Sequence, residues 1–223
     1  MVSRYSPRRQ AVNGPHMKPA RARILDAAAE LMATIGLARA TTKEIARAAG
    51  CSEAALYKYF AGKEDLFLHV LDERLPRLGP LLGELAKRPA DGGAGGAGGA
   101  RSVEENLIEV VRQAALFYEA TFAIAASLFA EPALLRRHAE GVRALGAGPH
   151  IPLRSLAAYL RNERDAGRIR PDADPDAAAT LLLGACQQRA FLRSFPDGEP
   201  VAPVEEFAPT LVRAALLGLA PGT

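Results

Sequence analysis

The stretch TTKEIARAAGCSEAALYKYF, residues Thr41–Phe60, predicts two short helices joined by a tight turn. Thr41 would begin the first helix, because Glu44 three residues later completes a reciprocal capping box. Ala46 is small enough for the second helix to cross close to the first, and Gly50 can adopt the positive φ that the turn requires. The second helix would begin at Ser52 or Glu53 and reach Phe60. The space between the helices is filled by apolar residues, namely Ile45, Ala49, Cys51 and Leu56.

This spacing is typical of a helix-turn-helix, although an ordinary helical hairpin would also contain many small residues. Hydroxyl and ammonium groups are the usual anchors on DNA phosphates. The small Ala54 and Ala55 would let the second helix lie deep in a major groove. The stretch therefore predicts DNA binding. The side chains that packing does not need are Thr42, Lys43, Ser52, Glu53, Ala54, Tyr57, Lys58 and, just beyond the stretch, Lys63.

Charge is distributed unevenly along the 223 residues. Residues 1–63 contain eleven Lys and Arg against four Asp and Glu, a net charge of +7, whereas residues 64–223 contain 17 against 21, a net charge of −4. A basic first quarter on a mildly acidic remainder indicates that one end binds a polyanion. Residues 1–17 have no apolar period and are expected to form a disordered arm, so their arginines could also simply be solvated.

Composition argues against several other classes of protein. Apolar residues make up 49% of the chain and charged residues 24%, which are ordinary globular values. The longest run without a charge, residues 177–188, is shorter than the roughly 20 apolar residues of a membrane helix. The start lacks a secretory signal, and Cys51 and Cys186 suggest neither a disulfide framework nor a zinc site. We expect a cytoplasmic protein that uses no membrane, metal or cofactor.

Helical periodicity continues on both sides of the stretch. A helix is expected from Lys18 to Gly36, where glycine would end it. Another is expected from Lys63, and Pro76 and Pro80 should kink or break it because each proline removes a backbone donor. The scarcity of β-branched residues favours helix over sheet. The chain therefore predicts an all-α fold of about nine helices.

Beyond these prolines the sequence predicts a loop and then several long helices. Residues 90–100, ADGGAGGAGGA, form a flexible loop by composition. Ser102 and Glu105 make a second capping box, which would open a helix reaching Phe129. Proline is tolerated in a first helical turn, and Asp174 is a plausible N-cap. Further helices are expected at Pro132, at Pro152, over Pro175–Phe195 and over Val204–Leu219.

From Ala20 to about Leu75 the chain carries a set of motifs that resembles the TetR family of one-component transcriptional repressors. The matching residues are Ile24 to Ala28, Gly36, Thr42, Ile45 and Ala46, Gly50, Leu56 to Phe60, and Lys63 with Glu64. The resemblance covers about a quarter of the chain. It implies a helix-turn-helix DNA-binding domain over residues 18–65 and a helical ligand-binding and dimerisation domain over residues 66–223. Cys51 departs from the pattern, where the family usually has Val, and so do Lys58, Pro76 and Pro80.

The resemblance also implies a role for each exposed residue. Phosphates would be contacted by Thr42, Ser52, Tyr57, Tyr59 and Lys63. Base edges would be faced by Glu53, Ala54 and Lys58, with the role of Lys58 left open between base and phosphate. The DNA backbone or a minor groove would be followed by Lys18, Arg21 and Arg23.

The C-terminal part carries two further expectations. Aromatic residues concentrate on the long helix, where they either fill the core or border a ligand cavity between helices. The last two helices have apolar stripes that either fill one subunit's core or form a four-helix homodimer interface. The candidate ligand residues are Phe117, Tyr118, Phe122, Phe129, Tyr159, Gln187, Gln188 and Phe191. The candidate interface residues are Ala178, Leu181, Leu182, Ala185, Leu192, Val204, Phe207, Leu211, Ala215 and Leu219.

The sequence thus predicts a homodimeric DNA-binding regulator rather than an enzyme, because no catalytic constellation stands on a suitable element. The expected partners are a palindromic double-stranded operator and an unidentified small apolar effector that releases a repressor from it. One alternative is a constitutive DNA-binding regulator without an effector. A helical enzyme or a pure interaction module is the competing class.

Overall fold

The computed structural model describes residues 18–76, 78–87, 101–195 and 198–219, and within these ranges every regular element is a helix. The expected all-α class is therefore confirmed. The predicted arm over residues 1–17 and the predicted loop over residues 90–100 lie outside the described residues. The helices are α1 (Ala20–Arg39), α2 (Thr42–Ala48), α3 (Glu53–Leu56), α4 (Lys63–Glu73), α5 (Leu78–Ala86), α6 (Val103–Phe129), α7 (Pro132–Ala144), α8 (His150–Asp165), α9 (Pro175–Arg193) and α10 (Val204–Leu219).

Both predicted capping boxes are present. The Thr41 hydroxyl accepts from the Glu44 amide and the Glu44 carboxylate accepts from the Thr41 amide, which starts α2. Ser102 and Glu105 make the same pair of bonds at the start of α6. Asp174 caps α9 through the amides of the next turn, as expected. These helix starts are encoded locally, because each cap lies within three residues of its partner.

Other boundaries differ from the prediction for identifiable reasons. The second helix of the stretch, α3, ends at Leu56 instead of continuing to Phe60, because the amides of Lys58 and Tyr59 bond to the carbonyls three residues earlier. This tighter pattern turns the last residues of the stretch into a turn. α8 begins at His150, two residues before the proline expected to open it.

The helix that begins at Lys63 does break near its prolines, as predicted. α4 ends at Glu73, and α5 begins at Leu78 as a separate helix that the sequence did not predict. Pro80 lies in the first turn of α5, where a missing backbone donor costs little. Pro76 lies in the connection between the two helices.

Two hydrophobic cores organise the described residues. The first packs α1–α4 together with the far end of α6 and with α7, so it extends past residue 65, where the sequence placed the domain boundary. Its α4 and α6 members are Leu66, Phe67, Val70, Ile124 and Leu128. The second core joins α5, α6, α8, α9 and α10 around Leu107, Val111, Leu156, Leu160, Leu182, Leu183 and Val212. We call α1–α4 the N-terminal unit and α5–α10 the body.

The unit and the body approach each other closely at Gly36. This glycine has φ 79° and ψ 157°, which interrupts α1 where the sequence predicted its end. A Cβ at this position would lie 2.6 Å from Cβ of Ser127 on α6. Glycine is therefore required here both by the backbone conformation and by the neighbouring helix.

Candidate nucleic-acid interface

The turn between α2 and α3 has the geometry that the sequence predicted. Gly50 has φ 67°, and the amide of Cys51 bonds to the carbonyl of Ala46 at 3.0 Å, which closes the turn. Ala46 and Leu56 are buried, so the two helices pack against each other and against α1. The turn therefore fixes the direction of α3 relative to α2.

Three polar side chains meet between α2 and α3. The Thr42 hydroxyl donates to Oε1 of Glu53 at 2.6 Å, and the Tyr57 hydroxyl lies 3.4 Å from Thr42 Oγ1. Since an ionised carboxylate only accepts hydrogen bonds, the Thr42 proton points to Glu53, and Tyr57 is the donor in its weaker contact with Thr42. The structure thus brings together three of the predicted DNA-contact residues and orients the carboxylate.

Most of the predicted contact residues on and around α2 and α3 face solvent. About half of Tyr57 is exposed, and the Ser52 hydroxyl accepts the N-cap bond from Ala55 at 3.1 Å, so its own proton is left for another acceptor. The side chain of Ala54 is only a methyl group, so it adds little bulk to the exposed surface of α3. The exposed residues of the predicted set on and around α2 and α3 are Lys43, Ser52, Ala54, Tyr57, Lys58 and Tyr59.

Arg21, expected along the DNA backbone, is engaged in contacts within the protein. Its guanidinium donates twice to the Glu73 carboxylate at 2.8 and 2.5 Å and lies 5.4 Å from the centre of the Phe60 ring. The bond from Arg21 lowers the pKa of Glu73 to about 2. His69 approaches both partners, with Nδ1 3.2 Å from Glu73 Oε1. The arginine therefore ties the start of α1 to the end of α4.

The other predicted basic contacts are also engaged. Arg23 donates to the carbonyl of Ala49 at 3.0 Å, and Lys18 pairs with Asp26 at 2.8 Å. Lys63 is half-buried, its ammonium donates to the carbonyl of Ala38 at 3.2 Å, and burial lowers its pKa. DNA contacts by these cations stay predictions, and each would compete with a contact inside the protein.

Two further basic residues of the unit were not among the predicted contacts. Arg39 and Arg47 are both exposed, and both are close enough to Glu44 to help lower its pKa, after the hydrogen bonds from Thr41. Arg47 follows Lys43 by four residues on α2, so the two share one helix face. The spacing of four residues between Lys43 and Arg47 is the sequence signal that could have identified Arg47 as a candidate contact.

The predicted ligand residues do not converge on one place. Rings of Phe122 and Phe191 lie 6.0 Å apart, and Phe195 adds a third ring 4.8 Å from Phe191; these three are the aromatic cluster. A second group combines Phe117 and Tyr118, whose rings are 5.6 Å apart, with Gln187, which hydrogen-bonds Tyr118. Burial raises the pKa of Tyr118.

The remaining ligand candidates lie apart from these groups. Tyr159 is fully buried in the second core, where its hydroxyl accepts from the Asn106 amide at 3.1 Å. Phe129 is 71% exposed at the end of α6, and Gln188 faces solvent on α9.

Two open concavities of the described ranges lie away from all of these residues. One of about 330 Å³ lies between the α8–α9 connection and α10, against Arg170, Ala177, Leu181 and Ala215. One of about 500 Å³ lies between α4 and α7, against Lys63, Glu64, Arg137 and Gly141.

The candidate dimer residues divide between core and surface. Ala178, Leu182 and Val204 are buried within the subunit, whereas Leu181 and Leu192 are exposed. Leu217 of α10 is 84% exposed, the largest exposed fraction among the large hydrophobic residues of the described ranges. The other candidates, Ala185, Phe207, Leu211 and Ala215, are partly buried, and the side chain of Leu219 lies outside the described residues.

The described ranges contain neither a metal cluster nor a membrane-spanning helix. No group of three or more His, Cys, Asp or Glu there could hold a metal ion. None of the helices in those ranges is both long and apolar enough to cross a membrane.

Two family models and a curated relative match this chain. The model of the bacterial regulatory proteins of the TetR family matches residues 24–70, and the model of the C-terminal domain of AefR-like transcriptional repressors matches residues 105–217, half of the chain. The relative is the uncharacterised helix-turn-helix regulator YvkB of Bacillus subtilis, 39% identical over 66 residues. That alignment spans 30% of this chain and 35% of the relative.

Solved structures share the fold over most of the length. SmeT, the repressor of the Stenotrophomonas maltophilia efflux pump SmeDEF, is 19% identical with a TM-score of 0.57, covering 92% of this chain and 96% of its own. FadR of Bacillus subtilis, in complex with stearoyl-CoA, is 17% identical with a TM-score of 0.58, covering 88% and 98%. The resemblance predicted for the first part of the chain is confirmed, and the second family model extends it to the C-terminal part. The chain belongs to the TetR family of DNA-binding transcriptional regulators.

Proposed function

We propose that this regulator is a repressor that binds a palindromic operator as a homodimer and leaves it when a small apolar ligand binds the body. The observation that carries the proposal is the exposed surface of α2 and α3, where hydroxyls, lysines and the small Ala54 surround a fixed turn. The C-terminal family model, described for repressors, and the fold of the repressor SmeT support the direction of control. Such a protein acts where the bacterial chromosome lies, in the cytoplasm.

Exposed leucines support the homodimer. Leu181 and Leu192 on α9 and Leu217 on α10 face solvent in a single subunit, next to small residues that allow close helix contact. Two such helices and their symmetry mates would form a four-helix bundle and space two recognition helices about 34–36 Å apart or a multiple of it.

The aromatic cluster supports an apolar effector. Phe122 on α6, Phe191 on α9 and Phe195 just after α9 present ring edges and faces, and FadR holds stearoyl-CoA in a fold of the same kind. The predicted ligand residues fall into separate groups, which favours the second candidate, a constitutive regulator whose activity follows its abundance.

Duplexes selected from a random pool by the full-length protein would test operator binding. We expect an imperfect palindrome, one dimer per site by sedimentation, and a footprint on two successive major grooves. Selection of no duplex, or of a single half-site by a monomer, would contradict the proposal.

A library of apolar and aromatic compounds would then test release. An effector should weaken operator binding about 5- to 150-fold, the usual range of allosteric coupling. Phe122→Ala should reduce this response and leave binding without ligand unchanged. Ile151→Ala, at an exposed apolar position of α8, is the matched control. If no compound shifts melting or DNA binding, the constitutive alternative holds.

A further inference from the structure

We infer that Glu53 reads a cytosine in each operator half-site, with Thr42 as the residue that positions it. The inference deepens the proposed function and rests on its operator binding. Its starting point is the placement of an acidic side chain at the beginning of α3, in the part of the chain that carries a net charge of +7. A carboxylate there opposes the attraction between the unit and DNA phosphates, so electrostatic attraction does not account for it.

Glu53 lies where the second helix of the helix-turn-helix begins. In a helix-turn-helix the second helix lies in the major groove, and its N-terminal residues contact base edges. Glu53 is the first residue of α3, and its neighbour Ala54 is exposed and too small to keep the helix away from the groove. The carboxylate therefore faces the bases and not the phosphates.

A hydrogen bond from α2 holds the Glu53 carboxylate in place. Thr42 Oγ1 donates to Oε1 at 2.6 Å, and Tyr57 lies behind Thr42 at 3.4 Å. A carboxylate has two oxygens and about four acceptor sites, so this bond orients the group and leaves acceptor capacity for a base. A side chain held in this way loses less conformational entropy on binding than a free glutamate.

The four bases differ in the hydrogen-bond donors and acceptors that they present in the major groove. An acceptor needs a donor, and in the major groove only the amino groups of cytosine and adenine donate. Adenine places its N7 acceptor beside that amino group, where a second carboxylate oxygen would be repelled, whereas cytosine offers the donor alone. Guanine and thymine present acceptors and are disfavoured. Cytosine is therefore the base that fits.

Parallel selections with wild type, Glu53→Gln, Glu53→Ala and Thr42→Val test this reading. The wild type should enrich cytosine at one position of each half-site, with a preference of about 5- to 150-fold, which corresponds to about 1–3 kcal/mol. Glu53→Gln should move the preference at that position to adenine, because an amide pairs with both N6 and N7. Glu53→Ala should abolish the preference there, and Thr42→Val should weaken it without changing the base.

The control separates base reading from overall charge. Glu30→Gln removes one carboxylate from an exposed position of α1, and it should leave the selected sequence unchanged. The inference is overturned if the Glu53 variants select the same base as the wild type at every position of the operator. Selection of no operator by any of the proteins would instead contradict the proposed function.

Discussion

The N-terminal unit and the body differ in how deeply they bury charge: among the described residues, the buried charged side chains, Glu163 and Arg189, both belong to the body. In the unit, ion pairs lie at the surface between helix ends, as Arg21 with Glu73 does, with side chains 38% and 29% exposed. In the body, Arg189 of α9 is 4% exposed, and it donates to Glu119 of α6 at 2.7 Å and to the carbonyl of Ala202 at 2.5 Å. Its guanidinium also lies 4.9 Å from the centre of the Phe207 ring.

This difference follows from what each region has to do. The unit must exchange contacts with water and ions for contacts with DNA, so its charges have to remain within reach of solvent. The body holds together long helices, and a buried charge there is tolerated only because it is fully paired. DNA binding by the unit should therefore depend on salt, and the stability of the unit should depend on pH. The stability of the body should depend on individual buried side chains.

Salt should have the largest effect, and it should act on the unit. If the dimer makes about 6–10 phosphate contacts, operator affinity should fall about 10³–10⁵-fold between 50 and 200 mM salt. A mobility-shift series measures the slope. Lys43→Ala should lower that slope by about 0.9 for each phosphate that the lysine neutralises in the wild type, whereas Arg21→Met should leave it unchanged, because Arg21 is bound to Glu73.

Two outcomes would alter this picture of the unit. A slope near zero would mean that the exposed lysines do not meet phosphates. A fall in slope for Arg21→Met as large as that for Lys43→Ala would mean that Arg21 leaves Glu73 when DNA binds, as the sequence alone predicted.

The junction between the two regions should be the position most sensitive to one added methyl group. Gly36→Ala combines a positive φ with a Cβ 2.6 Å from Ser127 Cβ, and it should cost about 2–5 kcal/mol of unfolding free energy. Gly50→Ala is the matched control, because φ is 67° but no atom lies within 4 Å, so only about 1–2 kcal/mol of backbone strain is expected. If Gly36→Ala and Gly50→Ala lower the free energy of unfolding in urea equally, α6 must shift at Ser127 to make room for the methyl group.

The two regions also differ in how far the sequence could predict them. The caps of α2 and α6 and the turn at Gly50 depend on residues a few positions apart, so they were predictable. The role of Arg21 was not, because Glu73 lies 52 residues away and only the fold brings it there. A basic residue near a helix-turn-helix gives the same signal whether it meets DNA or a carboxylate.

In the body the helices α6 to α10 were predictable from the sequence, whereas the separate helix α5 and the contacts among all these helices were not. An apolar stripe has the same period whether it packs in its own subunit or faces a partner, so Leu182 in the core and Leu181 on the surface could not be told apart. Tyr159 was equally ambiguous, because its partner Asn106 lies 53 residues away on α6. The aromatic residues of α6 carry the same ambiguity between core and ligand.

Removing one cation from each region tests the comparison directly. Arg189→Met leaves the Ala202 carbonyl without its donor and Glu119 with only Arg193, 3.1 Å away. Breaking a buried pair costs about 3–5 kcal/mol, and the remaining arginine should reduce this to about 2–3 kcal/mol. Arg21→Met should cost under about 1 kcal/mol, because its pair is solvated. Equal costs in urea unfolding would remove the distinction between the regions.

The smallest expected effect is the pH dependence of the Arg21–Glu73 pair. The hydrogen bond from Arg21 lowers the pKa of Glu73 from 4.5 to about 2. Because the folded pKa lies below the ordinary value, the pair stabilises the fold above about pH 4.5, and this contribution disappears as pH falls toward about 2. Glu73→Gln should therefore cost about 0.2–1 kcal/mol near neutral pH, a range that already allows for solvent screening. The gap between variant and wild type in urea unfolding should narrow steadily below about pH 4.5, whereas Glu30→Gln, exposed on α1, should show no such gap. A gap of constant size across that range would mean that Glu73 acts through packing and not through its charge.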